Sequence, residues 1–382
     1  MKHVLKTTLV LVFCLGFLSC VAKTKNDEKV LAELKQIDPP KKQHIKVALL
    51  LDTSNSMDGL IDQAKAQLWQ IVNELSYAKC GNEKPNLKIA LYEYGNDNLN
   101  DKEGYIRQVL GFSSDLDEIS KELFSLTTNG GNEFCGYVIQ TSLNQLGWGT
   151  NESDLKLIFI AGNEPFTQGS VSYQDASENA SKKDIVVNTI FCGDYNQGIS
   201  SFWKDGADIA GGNYMAINHN KATIHIASPY DDTILQLNIA LNKTYIAYGN
   251  TGKNKVALQQ EQDTNAEEYS TANAVSRTVS KSSHLYNNSK WDLVDASNEK
   301  DFDFESVKKE QLPDELKNKS LAEIKAFVSR KKGERLDIQK QIQELNTKRK
   351  AFLKTQSKVD NELGDALISA IKSQAKKKNY YW

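Results

Sequence analysis

Hydrophobic positions between residues 44 and 250 alternate between two patterns. Short, nearly continuous apolar runs, such as HIKVALLLD at 44–52, are typical of strands covered on both faces. Between these runs, apolar residues return every three or four positions, which predicts amphipathic helices. The predicted strands are 44–52, 86–95, 106–112, 155–162 and 184–193, and the predicted helices include 59–75, 115–126 and 136–148. The alternation predicts an α/β fold with a doubly wound, mostly parallel, Rossmann-like sheet.

The pattern weakens after residue 250, and we expect 251–319 to be an extension that packs on the domain. Ser320 and Glu323 then form the pattern of a capping box, which marks the start of a helix. Apolar residues follow at the heptad spacing of a coiled coil: Ile338, Ile342, Leu345, Phe352, Val359 and Leu363. We therefore expect a long helix or helical hairpin over 320–382. Its partner could be itself, another copy or another protein.

The amino terminus has the pattern of an export signal. Residues 1–19 combine a basic start with a short apolar core, and Ser19 precedes Cys20. The stretch FLSC resembles the cleavage motif of bacterial lipoproteins, which predicts a lipid on Cys20, with simple cleavage and secretion as the alternative. Residues 20–44 are charged and contain two prolines, as expected of a tether. Val21 and Ala22 favour an outer-membrane destination in the bacterial cell envelope and leave the membrane face open.

Composition limits the function classes. The chain has 382 residues, a formal net charge of −2 and 40% hydrophobic residues, so we expect a globular protein without a nucleic-acid partner. No histidine stands beside a serine or cysteine in a nucleophile pattern, and no phosphate-binding loop occurs. We therefore expect no catalytic residues.

The first predicted strand ends in an unusual way. Asp52, Ser54 and Ser56 follow the apolar run at alternate positions. One interpretation is that they cap the next helix. The other is a metal site, because hard divalent cations prefer oxygen ligands and a tight loop can turn all three side chains toward one point. Ligands of doubly wound folds bind at the carboxyl ends of the strands, where these residues lie.

Over residues 45–250 the chain resembles the von Willebrand factor type A (vWA) domain, whose metal-ion-dependent adhesion site (MIDAS) begins DxSxS after its first strand. The resemblance implies that a second loop, here TTNGGNEFCG, and the end of the fourth strand, here AGNEPFTQG, complete the site. This chain departs from the family at both places, where Thr and Asp are usual. The implied ligands are Asp52, Ser54, Ser56, Asn132 and Asn163, with Glu133 and Glu164 as further candidates. The implied ion is Mg²⁺, with Mn²⁺ or Ca²⁺ as alternatives.

Several stretches narrow the resemblance to a secreted bacterial branch of vWA proteins: GGNEFCG, FIAGNEPFTQG, NTIFCGD and KWDLVDA. The cysteines add one more expectation. Cys135 and Cys192 both lie at the ligand-binding end of the predicted sheet, whereas Cys80 lies at the other end, so the first two could form a disulfide in an oxidising compartment. The alternative is a pair of buried free thiols.

These observations predict a lipid-anchored envelope protein that is not an enzyme. Its vWA domain is expected to bind an unidentified protein, which would offer an acidic group to the metal. The alternative is a structural protein with a relict metal site that assembles through its carboxyl-terminal helices. A metal-dependent hydrolase is disfavoured because no general base is evident.

Overall fold

The computed structural model describes residues 43–221, 225–356 and 362–382. The predicted signal over 1–19, the lipidation site Cys20 and nearly all of the predicted tether lie outside these ranges. Among the helices in the described ranges, none is both long and apolar enough to cross a membrane.

The apolar runs form a six-stranded sheet, and two short strands form a separate ribbon. The strands are His44–Asp52 (β1), Lys79–Cys80 (β2), Asn86–Tyr94 (β3), Ile106–Ser113 (β4), Leu155–Gly162 (β5), Val186–Cys192 (β6), Tyr214–Ile217 (β7) and Tyr380–Tyr381 (β8). The order in the large sheet is β4-β3-β1-β5-β6-β7, and only β4 is antiparallel to its neighbour. The chain winds outward from β1 in both directions, which puts Asp52 at the topological switch point. The predicted fold class is confirmed.

Helices connect the strands and dominate the carboxyl-terminal region. They are Asp58–Leu75 (α1), Leu116–Phe124 (α2), Cys135–Gln145 (α3), Tyr173–Lys182 (α4), Tyr195–Ser200 (α5), Trp203–Ile209 (α6), Asp231–Asn242 (α7), Gly252–Tyr269 (α8), Thr271–Lys281 (α9), Leu293–Ala296 (α10), Asp314–Lys317 (α11), Leu321–Thr355 (α12) and Glu362–Lys376 (α13). The capping box of Ser320 and Glu323 is present at the start of α12.

Two apolar cores lie on opposite faces of the sheet. Successive residues of β1 alternate between them, with Val47 and Leu51 in one core and Ala48 and Leu50 in the other. Helices α1, α2 and α13 pack on the first face, whereas α3, α4 and α6 pack on the second. Helix α13 therefore covers the same face of the sheet as α1.

The helices after β7 differ in what they cover. Helix α7 packs against α9 and α12 instead of the sheet. The cover comes from α13, whose buried residues are Leu363, Leu367, Ala370, Ile371 and Ala375. Residues 43–382 consequently form one compact unit. The physical reason is that α13 supplies apolar cover that the sheet needs.

The heptad-spaced residues of α12 pack within the chain. Ile342 is fully buried against Ile234 of α7 and Val279 of α9, and Ile338 and Leu345 border the same cluster. These three residues of the predicted heptad pattern are therefore covered by helices of the same chain.

Buried ion pairs join the carboxyl-terminal helices to the sheet domain and to one another. Arg277 of α9 lies 2.8 Å from Asp117 of α2, and both side chains are almost fully buried. Arg335 of α12 donates to Asp292 at 2.6 Å and to Asp295 at 2.7 Å. Breaking such a pair by removing one partner is costly because it leaves an uncompensated buried charge.

Residues 380–382 pack at the opposite end of the sheet from Asp52. Strand β8 pairs antiparallel with β2, and the Trp382 indole donates to the Glu74 carbonyl at 2.9 Å. The Tyr380 hydroxyl donates to the Ser153 carbonyl at 2.9 Å.

We expect Leu367→Ala to lower the free energy of unfolding by about 2–5 kcal/mol, because it opens a cavity between α13 and the sheet. Leu336→Ala is the matched control: Leu336 is 56% exposed on α12, so its loss should change stability by no more than about 0.5 kcal/mol. Urea denaturation followed by circular dichroism measures both. Equal stability of the two variants would contradict a core role for α13.

Candidate metal centre

The loops at the carboxyl ends of the parallel strands meet above β1. We call this region the carboxyl edge, and it comprises residues 53–58, 95–105, 127–134, 163–172, 193–194 and 218–221. At its centre the DxSxS loop faces the loop before α3 and the loop after β5.

Asp52 lies at the bottom of this centre. Its carboxylate is fully buried, and Oδ1 accepts a hydrogen bond from the Ser54 backbone N–H at 2.7 Å. The other oxygen, Oδ2, is buried and has no hydrogen-bond partner. The Ser54 and Ser56 hydroxyls are 3.4 Å apart, and Asn163 Nδ2 donates to Ser56 Oγ at 3.2 Å. Asn163 Oδ1 is a second buried oxygen without a donor.

The second loop contributes Glu133 and not Asn132. Glu133 is 3% exposed, and its carboxylate lies within hydrogen-bonding reach of Asp52 and of the Ser54 hydroxyl. Asn132 is exposed. The choice follows from the loop backbone, since the Glu133 N–H donates to Gln168 Oε1 at 2.7 Å and orients this residue inward.

Glu164 contributes its backbone instead of its carboxylate. Its N–H donates to Glu133 Oε2 at 3.4 Å, while its side chain is exposed. The five side chains that the structure brings together are therefore Asp52, Ser54, Ser56, Glu133 and Asn163.

The centre places two carboxylates together without a compensating cation. Burial, and then the negative charge of Glu133, raise the pKa of Asp52 well above its usual range. Burial likewise raises the pKa of Glu133. Neither carboxylate forms a salt bridge with a lysine, arginine or histidine of the described residues. A bound divalent cation would remove this repulsion.

Two glycines leave the space in which Asp52 and Glu133 approach each other. Gly95 has a φ of +78°, and a Cβ there would lie 2.7 Å from Glu133 Cγ and 2.9 Å from Asp52 Oδ1. A Cβ on Gly162 would lie 3.1 Å from Asp52 Oδ2. Neither glycine was predicted as part of the site, although both stand at the carboxyl ends of predicted strands.

The expected disulfide is not formed, and the alternative of buried free thiols is the one observed. Cys135 and Cys192 are both free and buried. They belong to the cores on opposite faces of the sheet, so the sheet separates them. Burial raises the pKa of both thiols, which keeps them protonated at neutral pH.

His219 is a neighbour of the centre that the sequence did not indicate. Its imidazole lies within hydrogen-bonding reach of the Ser56 and Cys192 backbones, and Gln63 Nε2 holds its loop by donating to the Asn218 carbonyl at 3.0 Å. Burial lowers the pKa of His219, so it adds no positive charge at neutral pH.

The donor set fits a hard divalent cation. Carboxylate, hydroxyl and amide oxygens are the ligands of Mg²⁺, Mn²⁺ and Ca²⁺, and two buried oxygens here lack any donor. Clusters of three or more His, Cys, Asp or Glu, which would suit other metal sites, do not occur within the described ranges.

Comparisons with known proteins identify the family of the sheet domain. Residues 46–204 match the family model of the von Willebrand factor type A domain, and this part of the chain is such a domain. The match ends in the first residues of α6 and does not include α13. A search among curated proteins found no match.

Solved structures share the fold at low identity. BatB from Bacteroides thetaiotaomicron is 17% identical, with a TM-score of 0.35, over 45% of this chain and 90% of that one. The SpRpn10 VWA domain is 15% identical, with a TM-score of 0.35, over 45% and 87%. Proximal thread matrix protein 1 from the mussel byssus, whose MIDAS motif is occupied by zinc, is 14% identical, with a TM-score of 0.36. The match covers 47% of this chain and 43% of the mussel protein.

We expect Glu133→Gln to stabilise the metal-free protein at pH 7, because it removes one of two repelling buried charges. A carboxyl whose pKa is raised on folding loses stability as pH rises from about 4 through the raised pKa, by about 1.4 kcal/mol per unit of the shift. The wild type in EDTA should therefore become less stable over this interval, and Glu133→Gln should flatten the decline. Urea unfolding between pH 4.5 and 8 measures the effect.

Asp337→Asn is the matched control, because it removes an exposed carboxylate on α12 and should leave the decline as in the wild type. A Glu133→Gln protein that is less stable than the wild type at every pH would contradict this account of the centre.

Proposed function

We propose that this vWA domain binds a protein partner at the carboxyl edge, through a divalent cation held by Asp52, Ser54, Ser56, Glu133 and Asn163. The observation that carries the proposal is the pair of buried oxygens without donors, Asp52 Oδ2 and Asn163 Oδ1, beside a second buried carboxylate. An ion there would offset the cost of burying both acids.

Within this proposal, the protein side chains hold and orient the ion. When bound, the metal supplies positive charge and ties the loop after β1 to the loops before α3 and after β5. Mg²⁺ is the proposed ion, because it prefers oxygen ligands and usually keeps several waters, which a partner can replace. We propose a binding role instead of catalysis, because the two buried acids of the centre serve as ligands.

We expect isothermal titration calorimetry of the full chain with Mg²⁺ and with Mn²⁺ to show one site. Asp52→Ala should abolish the signal, because it removes the ligand at the centre of the cluster. Glu133→Gln should weaken affinity by at least about 10- to 100-fold, the range found for residues that only support a metal ligand. Asp337→Ala, which removes an exposed carboxylate on α12, should have no effect. Equal absence of binding in the wild type and Asp52→Ala would refute the proposal.

The alternative, an assembly protein with a relict metal site, depends on the carboxyl-terminal helices. Part of the predicted heptad pattern already packs against helices of the same chain: Ile338, Ile342 and Leu345. This packing supports the binding role over assembly. Sedimentation velocity distinguishes the two: oligomers that persist in EDTA and in Asp52→Ala would favour assembly.

We further propose that the protein is lipid-anchored in the bacterial cell envelope, on the strength of the export pattern that ends at Cys20. In a Gram-negative host grown with labelled palmitate, we expect the label on the wild type and on Cys80→Ser but not on Cys20→Ser. The wild type should also partition into the detergent phase, because its lipid chains anchor it. An unlabelled wild type would refute the anchor and leave the metal proposal intact.

A further inference from the structure

The two-stranded ribbon at the amino end of the sheet is rich in lysine. It consists of β2 with the turn after it and β8 with the turn before it, and we call residues 79–84 and 376–382 the basic ribbon. Its charged side chains are five lysines and one acid, Glu83. Four of the lysines are exposed: Lys79, Lys84, Lys376 and Lys377. The ribbon therefore presents a positively charged surface to solvent.

Hydrogen bonds hold the two halves of the ribbon side by side. Lys79 pairs with Tyr381 across the two strands, and the Tyr381 hydroxyl donates to the Gly81 carbonyl at 2.6 Å. The Cys80 N–H donates to the Glu83 carbonyl at 2.9 Å, which closes the turn after β2. The lysines of both halves thus belong to one continuous surface.

Further lysines stand on the central strands at the same end of the sheet. Lys46 of β1 is the register partner of Lys88 on β3 and of Lys156 on β5, so these three lie side by side. Burial lowers the pKa of Lys156 despite the nearby negative charges of Asp184 and Asp154. Additional negative charge at this end of the sheet would therefore stabilise its ammonium form.

The chain enters the sheet domain beside the basic ribbon. The Tyr380 hydroxyl lies 3.4 Å from the carbonyl of His44, the first residue of β1. Cys20, the proposed lipid site, is 24 positions before His44. A chain of that length spans at most about 85 Å when fully extended. The proposed anchor would therefore keep the ribbon near the membrane, and such confinement raises the local concentration so that weak contacts become effective.

The opposite edge of the sheet carries the opposite charge. On the carboxyl edge, seven acids stand against the lysines Lys102 and Lys221. The acids are Asp58, Asp97, Asp101, Glu103, Glu133, Glu164 and Asp194. An anionic surface attracts the ribbon and repels the carboxyl edge, so it would turn the metal centre away from itself.

Exposed tyrosines accompany the lysines of the ribbon. Tyr381 is 48% exposed within the ribbon, and Tyr77, two positions before Lys79, is 36% exposed. Tyrosine is enriched where membranes meet water, because its ring is apolar and its hydroxyl is polar. The combination of lysine and tyrosine therefore suits the headgroup region of a bilayer.

We infer that the basic ribbon docks on anionic phospholipid headgroups of the membrane that carries the proposed lipid anchor. Its four exposed lysines face the headgroup phosphates, and Tyr77 and Tyr381 enter the interface. The metal centre then points away from the membrane, where a partner can reach it. The choice of membrane rests on the proposed anchor, whereas the binding chemistry belongs to the described residues.

Vesicle flotation tests the inference on the chain from residue 20 onward with Cys20→Ser, which keeps every described residue and carries no lipid. We expect binding to phosphatidylcholine vesicles that contain about 30% phosphatidylglycerol, at about 0.05 M salt, and release at about 0.5 M salt. Vesicles of pure phosphatidylcholine should not bind. Equal binding to both kinds of vesicle, or binding to neither, would overturn the inference.

Two double variants locate the contact. Lys376→Gln/Lys377→Gln should bind anionic vesicles about 25-fold more weakly, since each lysine near such a surface contributes about a factor of five. Lys102→Gln/Lys121→Gln, the matched control, removes two exposed lysines outside the ribbon and should bind as the wild type does. Equal weakening of both variants would indicate attraction by net charge alone, and an unchanged ribbon variant would exclude the ribbon. Either result would overturn the inference.

Energy transfer to labelled lipids tests the orientation. In a Cys80→Ser background, a fluorophore is attached at Asn82→Cys in the ribbon or at Lys102→Cys on the carboxyl edge. Both positions are exposed, whereas Cys135 and Cys192 are buried and should not react. We expect stronger transfer from position 82 to acceptor lipids in anionic vesicles. Equal transfer, or stronger transfer from position 102, would contradict docking through the ribbon.

The anchor and the ribbon can fail separately. If Cys20 carries no lipid but vesicle binding still depends on Lys376 and Lys377, the anchor is refuted and lipid binding by the ribbon stands. If Cys20 is lipidated but vesicle binding ignores the charge of the lipids, the anchor stands and the inference is overturned. Neither result bears on the metal centre, which calorimetry tests independently.

Discussion

The structure depends on covering both faces of a parallel sheet. Strands such as β1 and β5 are apolar throughout, so neither face can be left in water. Helices that follow the strands cover one face, but the other is completed by α13 at the end of the chain. For α13 to reach the sheet, the helices between β7 and α13 must fold back on the domain, and buried pairs such as Arg277–Asp117 hold them there. This is why the described chain is one unit.

The sheet domain holds two buried carboxylates close together, which is electrostatically unfavourable. Asp52 and Glu133 are buried together without a cation from the protein, which raises the pKa of both carboxyls and opposes their ionisation. Strand register holds Asp52 at the end of β1, and the bond from the Glu133 N–H to Gln168 holds Glu133 opposite it. A bound cation, as proposed above, would relieve this repulsion and would therefore also stabilise the fold.

The site could be predicted in part. The DxSxS loop was found because an apolar run that ends in alternating oxygen-bearing side chains is a local pattern. The choice between Asn132 and Glu133 was not accessible, because adjacent loop residues face opposite directions and the direction depends on Gln168, 35 positions away. The disulfide failed for a similar reason: Cys135 and Cys192 end up at the same edge but on opposite faces of the sheet.

The sequence by itself determined the fold class, the end of β1 as the location of the site, and the helical character of the carboxyl-terminal region. These are properties of hydrophobic periodicity, which local chain geometry converts into strands and helices. Only the tertiary structure decided that α13 completes the sheet domain and that Glu133 faces Asp52. It also decided that Cys135 and Cys192 lie on opposite faces of the sheet. Those facts depend on which distant segments meet, and that is set by the packing of the whole chain.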